Sequence, residues 1–248
     1  MRTLFYGTPA RAVPFLELLA RKTELVGVLS QPDKPAGRSL KISPTPVKAK
    51  AQGLGVPVLQ PESPAAAAAQ LRALKPDLAV AVAYGRMLDQ ELLAIPAMGS
   101  LNVHFSLLPK YRGAAPVQWS LVRGETRTGV TLFWIDEGLD AGPVFLQREA
   151  EIRPDDDGPA LLDRLTGMGL EALDEALSEA AAGRIRRQPQ TGEPSLAPRL
   201  KKEDGRISLD RGARALHDLV RGLLEWPTAY LELKPPAPCR VQVLKTAP

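Results

Sequence analysis

Leu101-Asn102-Val103-His104-Phe105-Ser106-Leu107-Leu108-Pro109-Lys110-Tyr111-Arg112-Gly113 is the stretch around which the other segments fall into place. Ser100 to His104 is a short apolar run, which predicts the end of a buried strand whose successive side chains point to opposite faces. Asn102 and His104 then share a face. Pro109 keeps its predecessor out of the helical region, and the polar Lys-Tyr-Arg-Gly after it reads as a loop, so the chain leaves the strand between Ser106 and Pro109. An amide and an imidazole are therefore expected side by side at the carboxyl end of a strand, the edge of an open α/β sheet where ligands bind.

The flanking segments supply such a sheet. Arg2 to Tyr6 reads as a strand, Gly7-Thr8-Pro9 as a turn, and Val13, Leu16 and Leu19 recur at helical spacing. Leu25 to Leu29 completes a strand-helix-strand unit of the kind that builds parallel sheets. The turn has one glycine, so the three-glycine dinucleotide fingerprint is absent. Val56 to Leu59 is a further short strand, and the alanine-rich run from Ser63 to Leu74 reads as a helix capped by Ser63. Leu78 to Val82 is continuously apolar, a strand buried on both faces. Past its end lie Tyr84, Gly85, Arg86, Met87 and Leu88, where an aromatic ring either lines a pocket for a flat ligand or simply packs.

Downstream, Ala115 to Val122 is expected to be helical and Thr128 to Trp134 extended. Asp136-Glu137-Gly138-Leu139-Asp140-Ala141-Gly142-Pro143 is a shaped loop with three carboxylates. Val144 to Ala150 follows as a strand forming a hairpin-like antiparallel edge, and Pro159 to Ala182 as a long amphipathic helix. The fold class predicted is α/β, a mostly parallel twisted sheet with helices on both faces. Gln31 to Pro46 carries four prolines and no periodicity, a connection long enough to expect function or mobility of it. From Gly183 to Ile207 seven basic residues meet three acids, an excess equal to the chain's whole net charge of +4. That basic connector suits a polyanion such as nucleic acid, or merely a solvated linker. The division expected is a catalytic domain at 1–182, a linker at 183–207 and a short β-rich segment at 208–248.

At 248 residues and 44% hydrophobic content a sizeable core is available. No apolar run is long enough to span a bilayer. Cys239 is the single cysteine, so no internal disulfide can form, and with no charged-then-apolar leader a reducing cytoplasm is the simplest compartment. His104 and His217 are the two histidines, too few ligands for a zinc site, and no metal is expected. If Asn102, His104 and a carboxylate of the 136–140 loop converge, the chemistry that fits is acyl transfer between two bound substrates. An amide N–H and an imidazole N–H stabilise the oxygen that gains charge, while the carboxylate orients the imidazole and assists proton transfer. A strand-end histidine beside a capping asparagine is the plainer alternative.

Asn102-Val103-His104, Ser106-Leu107-Leu108-Pro109, Tyr111-Arg112-Gly113-Ala114-Ala115-Pro116 and Gly138-Leu139-Asp140-Ala141-Gly142 resemble the motifs of the 10-formyltetrahydrofolate-dependent formyltransferases. Phe5-Tyr6-Gly7-Thr8-Pro9 and Gln31 to Lys48 are most similar to the members that formylate methionyl-tRNA. The resemblance implies a Rossmann-like formyltransferase fold and Asn102, His104 and Asp140 as the catalytic trio. It implies that Ser106, Leu107, Leu108 and Pro109 contribute to the folate site, with Tyr84, Gly85, Met87, Leu88 and Asp136 walling the pterin pocket. Lys34, Arg38 and Lys41 would belong to a loop contacting the acceptor arm of initiator methionyl-tRNA, with Arg186, Arg187, Lys201 and Lys202 as further tRNA contacts. The folate is a donor substrate, and a monomer is expected. The family's C-terminal OB-like barrel is not matched in full, since 208–248 is too short for five strands. The alternatives are formyl transfer to a nucleotide-linked amino sugar, or a folate- or RNA-binding module without turnover.

Overall fold

β1 (Arg2–Gly7) is buried from Thr3 to Gly7, and the sheet is laid down on either side of it. The computed structural model describes residues 1–36, 41–233 and 239–247. α1 (Val13–Lys22) has a proline in its first turn and buries Phe15, Leu16, Leu18 and Leu19, a stripe at helical spacing. β2 (Glu24–Leu29) returns parallel to β1 with Tyr6 opposite Leu29.

The stretch after β2 differs from expectation. β3 (Lys34–Ala36) and β4 (Lys41–Ser43) pair antiparallel, Lys34 opposite Ser43. Three-residue strands are too short to leave a periodic trace in a proline-rich sequence. α2 (Pro46–Gly53) starts at Thr45, whose hydroxyl accepts a hydrogen bond from the Lys48 N–H at 3.2 Å. That Thr-Pro cap signal stood in the sequence but was masked by the surrounding prolines.

β5 (Val58–Leu59) is shorter than Val56 to Leu59 and pairs parallel with β2. The helix expected from Ser63 is split into a 3₁₀ turn over Pro64–Ala67 and α3 (Ala68–Ala73). Ser63 makes no side-chain cap, because the Ala66 N–H is already held by the Ser63 carbonyl at 3.0 Å. β6 (Leu78–Val82) is buried at every residue, as its unbroken apolar run requires. After the short α4 (Gln90–Leu93), β7 (Ser100–His104) pairs parallel with β6.

α5 (Pro116–Val122), β8 (Arg127–Trp134), β9 (Val144–Glu151), α6 (Gly158–Ala181), α7 (Ala213–Gly222), β10 (Tyr230–Leu233) and β11 (Cys239–Gln242) complete the order. The main sheet has seven strands in the order β5-β2-β1-β6-β7-β8-β9. β7 and β8 are antiparallel, with Leu101 opposite Trp134 and His104 opposite Thr131. The β8–β9 edge is antiparallel too. Trp134 bonds Pro143 and Thr131 bonds Gln147, so partner numbers fall on one strand as they rise on the other. The sheet grows both ways from β1, which places a topological switch point between β1 and β6.

Two compact units share the chain: 1–104, 131–147 and 169–190 form one, and 105–130, 148–168 and 191–248 the other. Residues 183–207, expected as a linker, are divided between them. In the first unit Tyr6, Leu29, Leu71, Ala79 and Leu92 belong to one apolar cluster. In the second, Leu219, Val220 and Leu223 pack with Ala115, Leu200 and Ala229. There Arg221 is buried and pairs with Asp218 at 2.7 Å, and its guanidinium also donates to the Arg153 and Asp156 carbonyls at 3.1 Å each. β10 and β11 form a separate antiparallel pair, two strands rather than a barrel among the described residues. No helix among the described residues is long and apolar enough to cross a membrane.

Candidate active site

β7 presents the proposed site at its carboxyl end. Its register sets Asn102 between Ala81 of β6 and Phe133 of β8, and His104 opposite Thr131. Alternation along the strand puts the amide and the imidazole on one face. His104 is 5% exposed, whereas Asn102 is only half-buried. The imidazole meets the Phe133 ring edge-on, with centroids 6.3 Å apart and an interplanar angle of 83°. Thr131 is itself held by the Gln147 amide, which donates to its hydroxyl at 2.8 Å.

Asp140 arrives from the loop between β8 and β9. Its Oδ2 lies 3.7 Å from His104 Nδ1, with the side chains 17% and 6% exposed. The carboxylate and the imidazole thus face each other within ion-pair distance, both largely shielded from solvent. Asp140 has φ +47°, a left-handed conformation that costs a non-glycine residue about 1 kcal/mol or more. Two residues on, a Cβ at Gly142 would overlap the Trp134 carbonyl oxygen, so only glycine lets the loop lie so close to β8. Asp136, proposed to wall a pterin pocket, is exposed and spends Oδ1 on the Gly138 N–H at 2.9 Å, shaping the same turn.

The strand ends beside this pair are linked by side-chain amides. The Tyr84 carbonyl accepts from Thr8 Oγ1 at 3.1 Å and from Gln31 Nε2 at 2.7 Å. Gln60 Nε2 donates to the Gln31 carbonyl and to Asp33 Oδ1, each at 2.7 Å, and Lys48 Nζ reaches Asp33 Oδ2 at 2.5 Å. The Gln60 amide first, then Lys48, hold the Asp33 carboxyl below the ordinary aspartate range. Ala83 and Gly85 both have positive φ, so the backbone turns sharply on either side of Tyr84. The Tyr84 ring is buried 6.2 Å from that of Tyr6, and neither hydroxyl has a hydrogen-bond partner among the described residues. Burial raises the pKa of both phenols, which stay neutral across the physiological range. Met87 is 64% exposed while Leu88 joins the core, so of that pair Met87 is the one available to a ligand.

Ser106 to Pro109 belongs to the second unit and turns tightly there. Ser106 Oγ donates to the Lys110 carbonyl at 2.6 Å, and Leu108 is buried. Leu107 is half-buried, and its carbonyl accepts the Lys110 N–H at 3.0 Å.

The basic residues proposed for tRNA divide by environment. Lys34 is exposed on β3, Lys41 lies in β4, and Arg38 falls outside the described residues. Arg186 pairs with Glu179 at 3.3 Å, and Arg187 stacks its guanidinium 4.1 Å over the Trp134 ring. Lys201 and Lys202 are exposed in the second unit. Sequence patterns did not single out Thr131, Gln147 or Gln60, which hold these strand ends. Their contacts cross long sequence separations, and polar residues of this kind carry no periodic mark.

The formyl transferase family matches residues 7–177, and the formyl transferase C-terminal domain matches residues 199–248. A methionyl-tRNA formyltransferase from Thermodesulfovibrio yellowstonii is 45% identical over 246 residues, 98% of this chain and 79% of that one. Among solved structures, a 4-N formyltransferase from Francisella tularensis superimposes with a TM-score of 0.79 at 15% identity, covering 99% of this chain and 98% of that one. An N-formyltransferase from Helicobacter canadensis, solved with folinic acid and dTDP-3-aminofucose, gives a TM-score of 0.73 at 18% identity, over 94% and 83% of the two chains. These two likenesses speak for the shared fold, and the close relative and the family matches for lineage. The chain belongs to the formyl transferase family, among its methionyl-tRNA formyltransferase members.

Proposed function

We propose that the chain transfers the formyl group of 10-formyltetrahydrofolate to the α-amine of methionine carried on initiator tRNA. The observation that carries the chemistry is the approach of His104 Nδ1 to Asp140 Oδ2 beside Asn102 on one face of β7. With Nδ1 turned to the carboxylate, Nε2 is the ring nitrogen assigned to substrate. The amine nitrogen attacks the formyl carbon, and the carbonyl electron pair moves onto oxygen, where the Asn102 amide and the His104 imidazolium donate hydrogen bonds. Each such donor is worth on the order of 10²- to 10³-fold in rate. The Asp140 carboxylate balances the imidazolium and helps pass the amine proton to N10 of the folate as the carbon–N10 bond breaks. The product is the formamide plus tetrahydrofolate. This donor set of amide, imidazole and carboxylate suits a carbonyl substrate that brings its own leaving nitrogen, so no nucleophilic side chain is required.

The acceptor follows the close relative. Lys34, Arg38 and Lys41 on the segment after β2 then meet the acceptor arm, with Arg186, Arg187, Lys201 and Lys202 giving weaker contacts. The reading places the enzyme in the cytoplasm as a monomer. Ser106, Leu107, Leu108 and Pro109, and Tyr84, Gly85, Met87, Leu88 and Asp136, are assigned to the folate by the family resemblance, with Met87 the exposed member of its pair.

Single-turnover formylation of charged initiator tRNA by His104→Ala and Asp140→Asn tests the chemistry. Both variants should lose at least about 10³-fold in rate while keeping most folate affinity; near-native turnover in either rejects it. A nucleotide-linked amino sugar is the competing acceptor, of the kind with which the Helicobacter canadensis structure of the same fold was solved. Offering both acceptors to the same preparation decides between them.

A further inference from the structure

The loop that delivers Asp140 has its own strap. Val144 at the start of β9 exchanges both backbone hydrogen bonds with Gln188, at 2.7 and 3.0 Å, so residues 186–190 run antiparallel along the loop's outgoing arm. The incoming arm is gripped as well: the Trp134 indole N–H donates to the Arg186 carbonyl at 2.7 Å, and the Arg187 guanidinium lies 4.1 Å over the same ring. Arg187 also donates to the Met98 carbonyl at 2.8 Å, which ties the strap to the turn leading into β7. The last residue of the strap reaches the critical position. Gln190 Nε2 donates to the Asp140 carbonyl at 2.8 Å and to the Gly142 carbonyl at 2.9 Å. All of these residues lie within one compact unit.

We propose that Gln190 is a positioning residue for formyl transfer: its side-chain amide, bridging the carbonyls on either side of Ala141, holds the left-handed turn that aims the Asp140 carboxylate at His104. The proposal rests on the reading of Asp140 as a working member of the trio. Asp140 at φ +47° sits in a conformation its own backbone does not favour, so something outside the turn must hold it. One NH2 group offers two protons, and the two carbonyls take one each. Removing the amide leaves those carbonyls to water and lets the turn relax. The carboxylate already stands 3.7 Å from the imidazole, so a further displacement of order 1 Å removes most of its effect; misplacements of that size cost about 10²-fold.

The test is a double-mutant cycle on the full chain, measured as kcat and as KM for the folate donor. Gln190→Ala should lower kcat by about 10- to 100-fold with KM changed less than about twofold. In an Asp140→Asn background the same substitution should cost no more than about twofold, because the group it positions is already gone. Gln190→Glu, similar in size but without the donors, should behave like Gln190→Ala and replaces it if that variant does not fold. A kcat within twofold of the parent for the single variant overturns the proposal. So does a loss that multiplies with that of Asp140→Asn, which would mark Gln190 as structural only. Should Asp140→Asn alone retain the parent rate, it is the reading of the trio that fails, and the cycle tells that outcome from the other two.

Discussion

Asp140 illustrates how a single backbone conformation separates stability from activity. Replacing it with glycine relieves the left-handed strain but loosens the unfolded chain, two effects of about 1 kcal/mol each and opposite sign. Asp140→Gly should therefore unfold in urea within about 1 kcal/mol of the parent while formyl transfer is lost; a larger drop would mean that the carboxylate holds the loop rather than serving the reaction. Gly142→Ala should do the reverse kind of damage. A methyl there collides with the Trp134 carbonyl, so the variant should lose about 1–3 kcal/mol and much of its activity together, seen by parallel melting and rate measurements. That Asn102 and His104 share a face was legible from alternation alone, since one short apolar strand fixes both faces. Asp140 was named through motif resemblance, because nothing local distinguishes it from Asp136 and Glu137 in the same loop. Gln190 carried no signal at all, its role being defined by carbonyls some fifty positions away in sequence.

Secondary elements were legible where burial writes a period into the sequence. β6 and α6 are examples: one is apolar throughout, and the other buries Leu161, Leu165, Gly169, Ala172, Ala176 and Ala180 at three- and four-residue steps. β3, β4 and α2 escaped because short elements held by caps and ladders leave no such trace. Their footing can be tested through Asp33. Its carboxyl is held below the ordinary range by Gln60 and Lys48, so the folded chain prefers the ionised form more than the unfolded chain does. That preference stabilises the fold above pH about 4 and is lost as pH falls through the depressed folded-state value. Asp33→Asn should thus be less stable than the parent at neutral pH, with the gap closing toward pH 3 in urea titrations. A gap independent of pH would assign the loss to geometry instead of charge. In the second unit, α7 depends on Asp218 and Arg221, exposed only 3% and 7%. Arg221→Ala leaves the buried Asp218 carboxylate with only the exposed Arg214, at 3.3 Å, and should cost about 3 kcal/mol, whereas an apolar pair of similar volume at both positions should cost far less.

At the scale of the whole molecule, the tRNA contacts proposed for the basic residues can be tested through salt. Lys34→Glu should weaken binding of charged tRNA and lower the slope of log affinity against log salt by about one per lost phosphate contact. Its reaction with a small amine acceptor should be unchanged. An unaltered salt slope would remove the β3–β4 segment from the tRNA interface. The α/β class, the mostly parallel sheet and its antiparallel edge were readable in advance from apolar runs, the strand-helix-strand opening and the short connection between the last two strands; the strand order β5-β2-β1-β6-β7-β8-β9 was not. The division of the chain among alternating segments left no mark in composition, which changes near residue 183, whereas unit membership changes after residues 104, 130, 147, 168 and 190.

The strap over residues 186–190 has a temporal side. A ribosome emits the chain from its amino end, so His104 and Asp140 emerge well before residues 186–190, whose Gln190 amide grips the loop carrying Asp140. On the positioning role proposed for Gln190, competence must then arrive late, as a closing event rather than a gradual gain.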